Sequence, residues 1–226
     1  MGIDIADYNN DLLPDVIAMD MLPEDNYRQK VLQGGDEYDQ QKLMKDSGYG
    51  YQYSRNMLQL NRGFTTDSLP VFSEIGQLAG VSNTDWSWAA LFADFDNDGW
   101  KDLFVCNGYL RDYNNLDFVK YDISEAFSEV AKKRLDVSTR ENYEKNMPLF
   151  DLVKKMPSTK ISNYIYKNKR DLTFSDESEK WGLDEKGVSS GAAYVDLDND
   201  GDMDLVVCNN NEPVWLYRNN TNELDK

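Results

Sequence analysis

The chain contains no histidine. That absence removes Ser-His-Asp and Cys-His catalysis, imidazole-ligated zinc and imidazole acid–base chemistry. Cysteine is scarce: Cys106 and Cys208 form neither a CxxC pair nor a disulfide framework, and two buried free thiols are expected. Basic residues are outnumbered, 24 Lys+Arg against 41 Asp+Glu in 226 residues. This balance disfavours nucleic acid and anionic membrane surfaces as partners. No apolar run is long enough to span a membrane, and no signal-peptide pattern opens the chain. The opening "MGIDIADYNN" starts inside a motif, which predicts a missing upstream segment. Carboxylates, Lys, Tyr and a bound metal remain as sources of chemistry.

Many of the acids are clustered. The stretch "ADFDNDGWKDLFVCNG" (93–108) crowds four of them together and then runs into an apolar strand. It belongs to an internal repeat. Segments 72–107 and 174–209 align without a gap, so that Phe72, Gly80, Ala90, Asp94 and Cys106 match Phe174, Gly182, Ala192, Asp196 and Cys208. A partial third copy opens the chain, with Asp7, Asn9, Asp11 and Asp15 in the register of Asp94, Asp96, Asp98 and Asp102. Short apolar runs "NMLQLN" (56–61), "NYIYKN" (163–168) and "VWLYRN" (214–219) also recur, each ending in Asn. The unit is four short strands, A to D, with the acidic loop between A and B.

The B-to-C connection varies. It is a tight turn, "NNNEP" (209–213), in the last copy and a long segment in the first two. Leu116, Val119, Ile123, Phe127 and Val130 predict one apolar helix face. "STRE" from Ser138 to Glu141 fits a capping box, and Leu149, Leu152, Val153 and Met156 suggest another inner face after Pro148.

The acidic loop reads Asp94-x-Asp96-x-Asp98-Gly99-x-x-Asp102, and Asp196, Asp198, Asp200, Gly201 and Asp204 repeat it. Alternating carboxylates on a tight turn converge on one point, and calcium takes six to eight hard oxygens in irregular geometry. The position-7 carbonyls, from Trp100, Asp202 and Leu13, would add an oxygen each. The first copy is degraded, with Asn9 for an aspartate and Leu12 for the glycine, so weaker or altered binding is expected there. An EF-hand begins with the same pattern but needs Glu at position 12 and flanking helices. Position 12 is Val105 or Val207, and the flanks are strands.

The loops and the strands around them resemble the FG-GAP/VCBS-type repeats, the calcium-loop blades of integrin alpha-chain propellers and of secreted bacterial VCBS-repeat proteins. The resemblance covers about half of the chain and leaves out the helical insertions. It implies a mainly β fold of four-stranded antiparallel propeller blades. The chain would hold one partial propeller domain over 1–226: blade one at about 1–76 with an insertion at 21–55, blade two at about 84–178 with an insertion at 108–162, and an incomplete blade three at about 188–226. Closing a propeller takes about four to eight blades. The partners would therefore include the remaining blades of a parent propeller, or further copies of the chain.

The expected cofactor is Ca2+, in the two complete loops, with the first loop as a third candidate. The expected function is a calcium-binding repeat module, a scaffold that binds a protein or glycan outside the cell or at its surface. Candidate ligand-binding residues on the insertions are Tyr109, Arg111, Tyr113, Tyr49, Tyr51 and Tyr53. Two alternatives stay open: a carboxylate-based polysaccharide-active enzyme and a purely structural spacer.

Overall fold

The computed structural model describes residues 1–33 and 38–224. Residues 34–37, in the first expected insertion, and 225–226, at the end of the third expected blade, lie outside the described residues. Among the described residues, thirteen strands form four antiparallel sheets. The chain divides into two compact units, one made of 1–24, 53–109 and 160–226, the other of 25–52 and 110–159.

The first unit is built of three larger sheets and one two-stranded sheet. Sheet one pairs β1 (Ile3–Ala6), β2 (Asp15–Ala18), β3 (Met57–Phe64) and β4 (Pro70–Glu74) in that order. The second sheet begins with β5 (Ser87–Ala93) and β6 (Asp102–Asn107). The two-residue strand β7 (Ile161–Ser162) precedes its last two members, β8 (Tyr164–Asn168) and β9 (Phe174–Asp176). β7 pairs instead with β10 (Lys186–Gly187). Sheet three orders β11 (Ser189–Val195), β12 (Asp204–Asn209) and β13 (Trp215–Tyr217). The order A-B-C-D expected for a blade is thus complete twice, and the third sheet shows A-B-C among the described residues.

Burial explains why β6 reads as a continuous apolar run. Leu103 and Val105 pack with Tyr8 of the first acidic loop and with Ile17 and Leu58 of sheet one. Phe104 and Cys106, on the opposite face, pack with Leu205 and Val207 of sheet three. A strand covered on both faces has no reason to alternate. β12 is covered on one face only, so Leu205 and Val207 are buried while Cys208 is exposed. The expectation of two buried thiols is therefore corrected: burial pushes the Cys106 thiol up to about 11, whereas Cys208 faces solvent. The sheets approach closely at Gly108, where a Cβ would lie 2.6 Å from the Val188 Cα.

The second unit gathers both insertions into one helical body. α1 (Asn26–Leu32) is capped by Asp25, whose carboxylate accepts the Arg28 N–H at 2.7 Å, and α2 (Tyr38–Asp46) follows. Arg28 also reaches the second insertion, pairing in a fork with buried Asp112 at 3.1 Å on both arms. The Thr159 hydroxyl donates to the same carboxylate at 2.9 Å, and the Asn114 amide donates to the Leu32 carbonyl at 3.0 Å.

A π-helical stretch (Phe118–Ile123) runs into α3 (Ser124–Lys132), followed by α4 (Arg140–Asn146) and α5 (Leu149–Lys155). The wider π turn rotates the apolar face. Phe118, Ala126 and Val130 form the core with Met147 and Leu152, while Val119 and Phe127 are exposed. The expected face was therefore partly wrong. The cap of α4 is Thr139 rather than Ser138, its hydroxyl accepting the Asn142 N–H at 3.2 Å. Val153, expected on an inner face, is exposed.

Candidate metal centres

The three acidic loops share one backbone. In each, the first aspartate accepts two N–H groups from the far side of the turn. Asp94 takes those of Asp98 and Gly99 at 3.0 and 2.9 Å, and Asp196 those of Asp200 and Gly201 at 3.2 and 3.1 Å. Asp7 takes those of Asp11 and Leu12 at 3.1 and 2.9 Å. The fifth position then caps the seventh: Asp98 accepts from Trp100, Asp200 from Asp202 and Asp11 from Leu13. Position 4 is Asn in all three, Asn10, Asn97 and Asn199, each left-handed at φ 57°, 56° and 60°. Position 6 is Gly99 or Gly201 at φ 85° and 95°, but Leu12 in the first loop at φ 69°.

A leucine at positive φ is strained. Leu12 is 90% exposed and so loses no packing on replacement. Leu12→Gly is expected to stabilise the protein by about 1 kcal/mol; equilibrium urea unfolding with an unchanged midpoint would contradict this.

The ninth position is a buried tie. Asp102 accepts the N–H of Asn168, on β8, at 2.9 Å and that of Phe95 at 3.2 Å. Asp204 does the same with Asn219 at 2.8 Å and Leu197 at 2.9 Å, and Asp15 with Asn61 at 2.8 Å and Tyr8 at 3.4 Å. Burial pushes the Asp102 carboxyl up to about 7 and that of Asp15 up to about 6, even against these bonds.

Two carboxylate clusters result. Oxygens of Asp94, Asp96 and Asp102 all lie within 4.8 Å of one another, and so do those of Asp196, Asp198 and Asp204. Asp98 and Asp200, expected as ligands, stand outside these triads and face cations. Asp98 Oδ2 lies 2.9 Å from Arg170 and 3.4 Å from Lys167. Burial would raise the Asp98 carboxyl, but Arg170, the Trp100 N–H and Lys167 together hold it below the usual range. Asp200 Oδ2 lies 3.5 Å from Arg218.

Among the described residues the first loop gathers no such cluster. The Asn9 amide closes it from within, donating to Asp11 Oδ2 at 3.0 Å and accepting the Asp11 N–H at 3.2 Å. The position-7 residues Leu13, Trp100 and Asp202 each donate their N–H to the fifth-position aspartate. The Trp100 ring also stacks on Arg170 at 5.9 Å, and the Asp202 carboxylate is buried between Asn97 and Asn222.

Calcium fits the donor set of the two clusters. Asp96 Oδ1 is buried and receives no hydrogen bond, and neither does Asp200 Oδ2, which has only the distant Arg218 guanidinium. Buried carboxylate oxygens without partners are costly. A hard cation held by several oxygens satisfies them.

A model of the FG-GAP-like repeat family matches residues 158–207. This segment is an FG-GAP-type repeat. No curated protein matches the chain. The FG-GAP-like repeat begins before β8, crosses from sheet two to sheet three and ends inside β12, so one sequence repeat spans a junction between blades. The same succession of C strand, D strand, A strand, acidic loop and B strand occurs once before it, from β3 to β6.

The junction is held by residues with no assigned role in the sequence. The Asn168 amide donates to the Tyr8 carbonyl at 2.8 Å and the Lys101 carbonyl at 3.0 Å, joining loops one and two. Asn219 repeats this on Phe95 at 2.6 Å. Asn10 donates to the Gly99 carbonyl at 3.1 Å, and Asn97 to Asp202 at 2.5 Å. The signal for Asn168 and Asn219 was the Asn that ends each recurring apolar run.

The candidate ligand-binding tyrosines are divided between the two units. In the first, Tyr109 is half-buried against Trp86 and Trp88, at 4.6 and 6.2 Å between ring centres, and Arg55 lies 5.5 Å from the Tyr53 ring. In the second, Arg111 donates to the Met156 carbonyl at 3.1 Å and Tyr113 is exposed. Tyr49 and Tyr51 are exposed as well, with Lys45 bonded to the Tyr51 hydroxyl at 2.6 Å. A cavity of about 480 Å³ in the first unit is lined by Phe95, Ile165, Trp181, Met203 and Tyr217, with Asp96 its one carboxylate.

Proposed function

We propose that the chain is a calcium-binding FG-GAP-type repeat module, working outside the cell or at its surface as a scaffold that presents its insertion unit to a protein or glycan. The observation that carries the calcium reading is the unpartnered, buried Asp96 Oδ1 within a carboxylate triad that recurs one repeat later. The residues that would hold the ion are Asp94, Asp96, Asp98 and Asp102, then Asp196, Asp198, Asp200 and Asp204, with the carbonyls of Trp100 and Asp202. The bound ion supplies charge neutralisation and cross-links the A–B turn. Asp7, Asn9, Asp11, Leu13 and Asp15 form the weaker candidate, since Asn9 already occupies the oxygens an ion would use.

FG-GAP-type repeats generally bind calcium and are typical of extracellular proteins. No helix among the described residues is long and apolar enough to cross a membrane. Outside the cell, sites of this class fill at about 10⁻⁴–10⁻³ M calcium. Exposed Tyr113, Tyr49 and Tyr51 on the helical unit, with Tyr109, Arg111 and Tyr53, remain the candidate contacts, and a glycan array probes them directly. Isothermal titration of the full chain with calcium is expected to show two sites. Asp94→Asn with Asp96→Asn should remove one, and Asp196→Asn with Asp198→Asn the other. Titration without heat in the unmodified chain would refute the reading.

A further inference from the structure

Each complete acidic loop has a cation of its own, delivered from strand C. Lys167 is the penultimate residue of β8. Its ammonium bonds Asp96 Oδ2 and lies 3.4 Å from Asp98 Oδ2. Arg218, just after β13, bonds Asp198 Oδ2 at 2.6 Å and lies 3.5 Å from Asp200 Oδ2. The two occupy the same place in the repeat, immediately before Asn168 and Asn219. Both grip the third and fifth positions of their loops.

The first blade breaks the pattern in a telling way. The residue before Asn61 is Leu60, buried at 4% exposure in the core. In that same blade the third loop position is Asn9 rather than an aspartate. The cation is absent where the carboxylate it would grip is absent. Lys167 is not needed to fill space, because its side chain is 37% exposed. Its placement answers to charge.

We propose that Lys167 and Arg218 are tethered counter-ions that compete with calcium: they hold the empty loops together and weaken calcium binding. This rests on the calcium reading above. With no ion, four carboxylates on one turn repel, and the ammonium bridging Asp96 and Asp98 offsets part of that repulsion. With an ion, the same positive charge stands a few ångströms from a dication and shares two of its ligands. Asp96 divides the tasks between its oxygens. Oδ2 is held by Lys167, while Oδ1 is buried and unpartnered. The loops are therefore held closed by these ion pairs before any ion arrives. Binding and release proceed without local unfolding, at an affinity set low enough for release.

The test is calcium titration and thermal melting of the full chain carrying Lys167→Met, with Arg218→Met as the parallel variant at the other loop. Methionine keeps an unbranched stem of similar length and removes the charge. Lys167→Met is expected to tighten the loop-two dissociation constant about tenfold, while lowering the melting midpoint measured in chelator. Opposite signs in the two readouts distinguish competition from a merely structural role, which would weaken both. Unchanged or weaker calcium binding in both variants, with two sites still present in the parent, overturns the counter-ion role and leaves the calcium reading intact. Absence of calcium binding in the parent overturns both.

Discussion

Calcium at about 10 mM is expected to raise the melting midpoint of the chain by roughly 10 °C over the value in chelator. A ligand that binds only the folded state stabilises it by RT ln(1 + [L]/Kd). At 10 mM, a site with a dissociation constant of about 10⁻⁴–10⁻³ M contributes about 1.4–2.7 kcal/mol. Two such sites contribute about 3–5 kcal/mol. In a chain of this size each kcal/mol moves the midpoint by about 2–4 °C. Magnesium at the same concentration is the necessary control. The chain carries a net charge of −17, so any divalent cation relieves some general repulsion. Magnesium demands near-ideal octahedral geometry and keeps its waters, so its shift should be much smaller. Equal shifts with both ions would reduce the effect to screening. Asp94→Asn with Asp96→Asn should remove about half of the calcium-specific part.

The acidic loops were legible because everything they need is local. Carboxylates at positions 1, 3, 5 and 9 and the glycine at 6 are all contained in one short turn, and the gapless second copy fixed the strands around them. The EF-hand alternative fell on Val105 and Val207 for the same reason. What depends on contacts across the sequence was not legible. Lys167 and Asp96 are brought together by strand pairing, and the only trace in the sequence is a basic residue before a recurring Asn. Cys106 and Cys208 are equivalent in the repeat, yet one is buried and the other exposed, because among the described residues sheet two alone has a sheet on each face. Along the helical insertion a single π turn moved the buried face from Val119 and Phe127 to Phe118 and Ala126. Periodicity counted at 3.6 residues per turn cannot anticipate that.

Asp102→Ala is expected to cost about 3–5 kcal/mol, the largest effect of any single change in loop two. The carboxylate is fully buried and ties two backbone donors, the N–H groups of Asn168 and Phe95. Removing it strands both at about 1–3 kcal/mol each. The damage would spread, because the Asn168 amide is the clamp that reaches Tyr8 in the neighbouring blade. Asp102→Asn keeps one acceptor and should cost less, and its pH dependence tests the titration of the parent. In the folded, calcium-free protein the Asp102 carboxyl is pushed up to about 7, chiefly by burial, against about 3.9 when unfolded. Between those values the folded state binds the extra proton. Stability contributed by this group is therefore present at low pH and lost as pH rises towards 7. General charge repulsion in so acidic a chain gives a slope of the same sign, so the informative quantity is the difference between parent and variant. In chelator, the parent should lose more stability than Asp102→Asn between pH 5 and pH 7.5; equal slopes in urea titrations at the two pH values would show that Asp102 does not titrate there. With calcium present the order reverses, since a cation and a proton compete for the same carboxylate, and calcium affinity at loop two should fall as pH drops below 7.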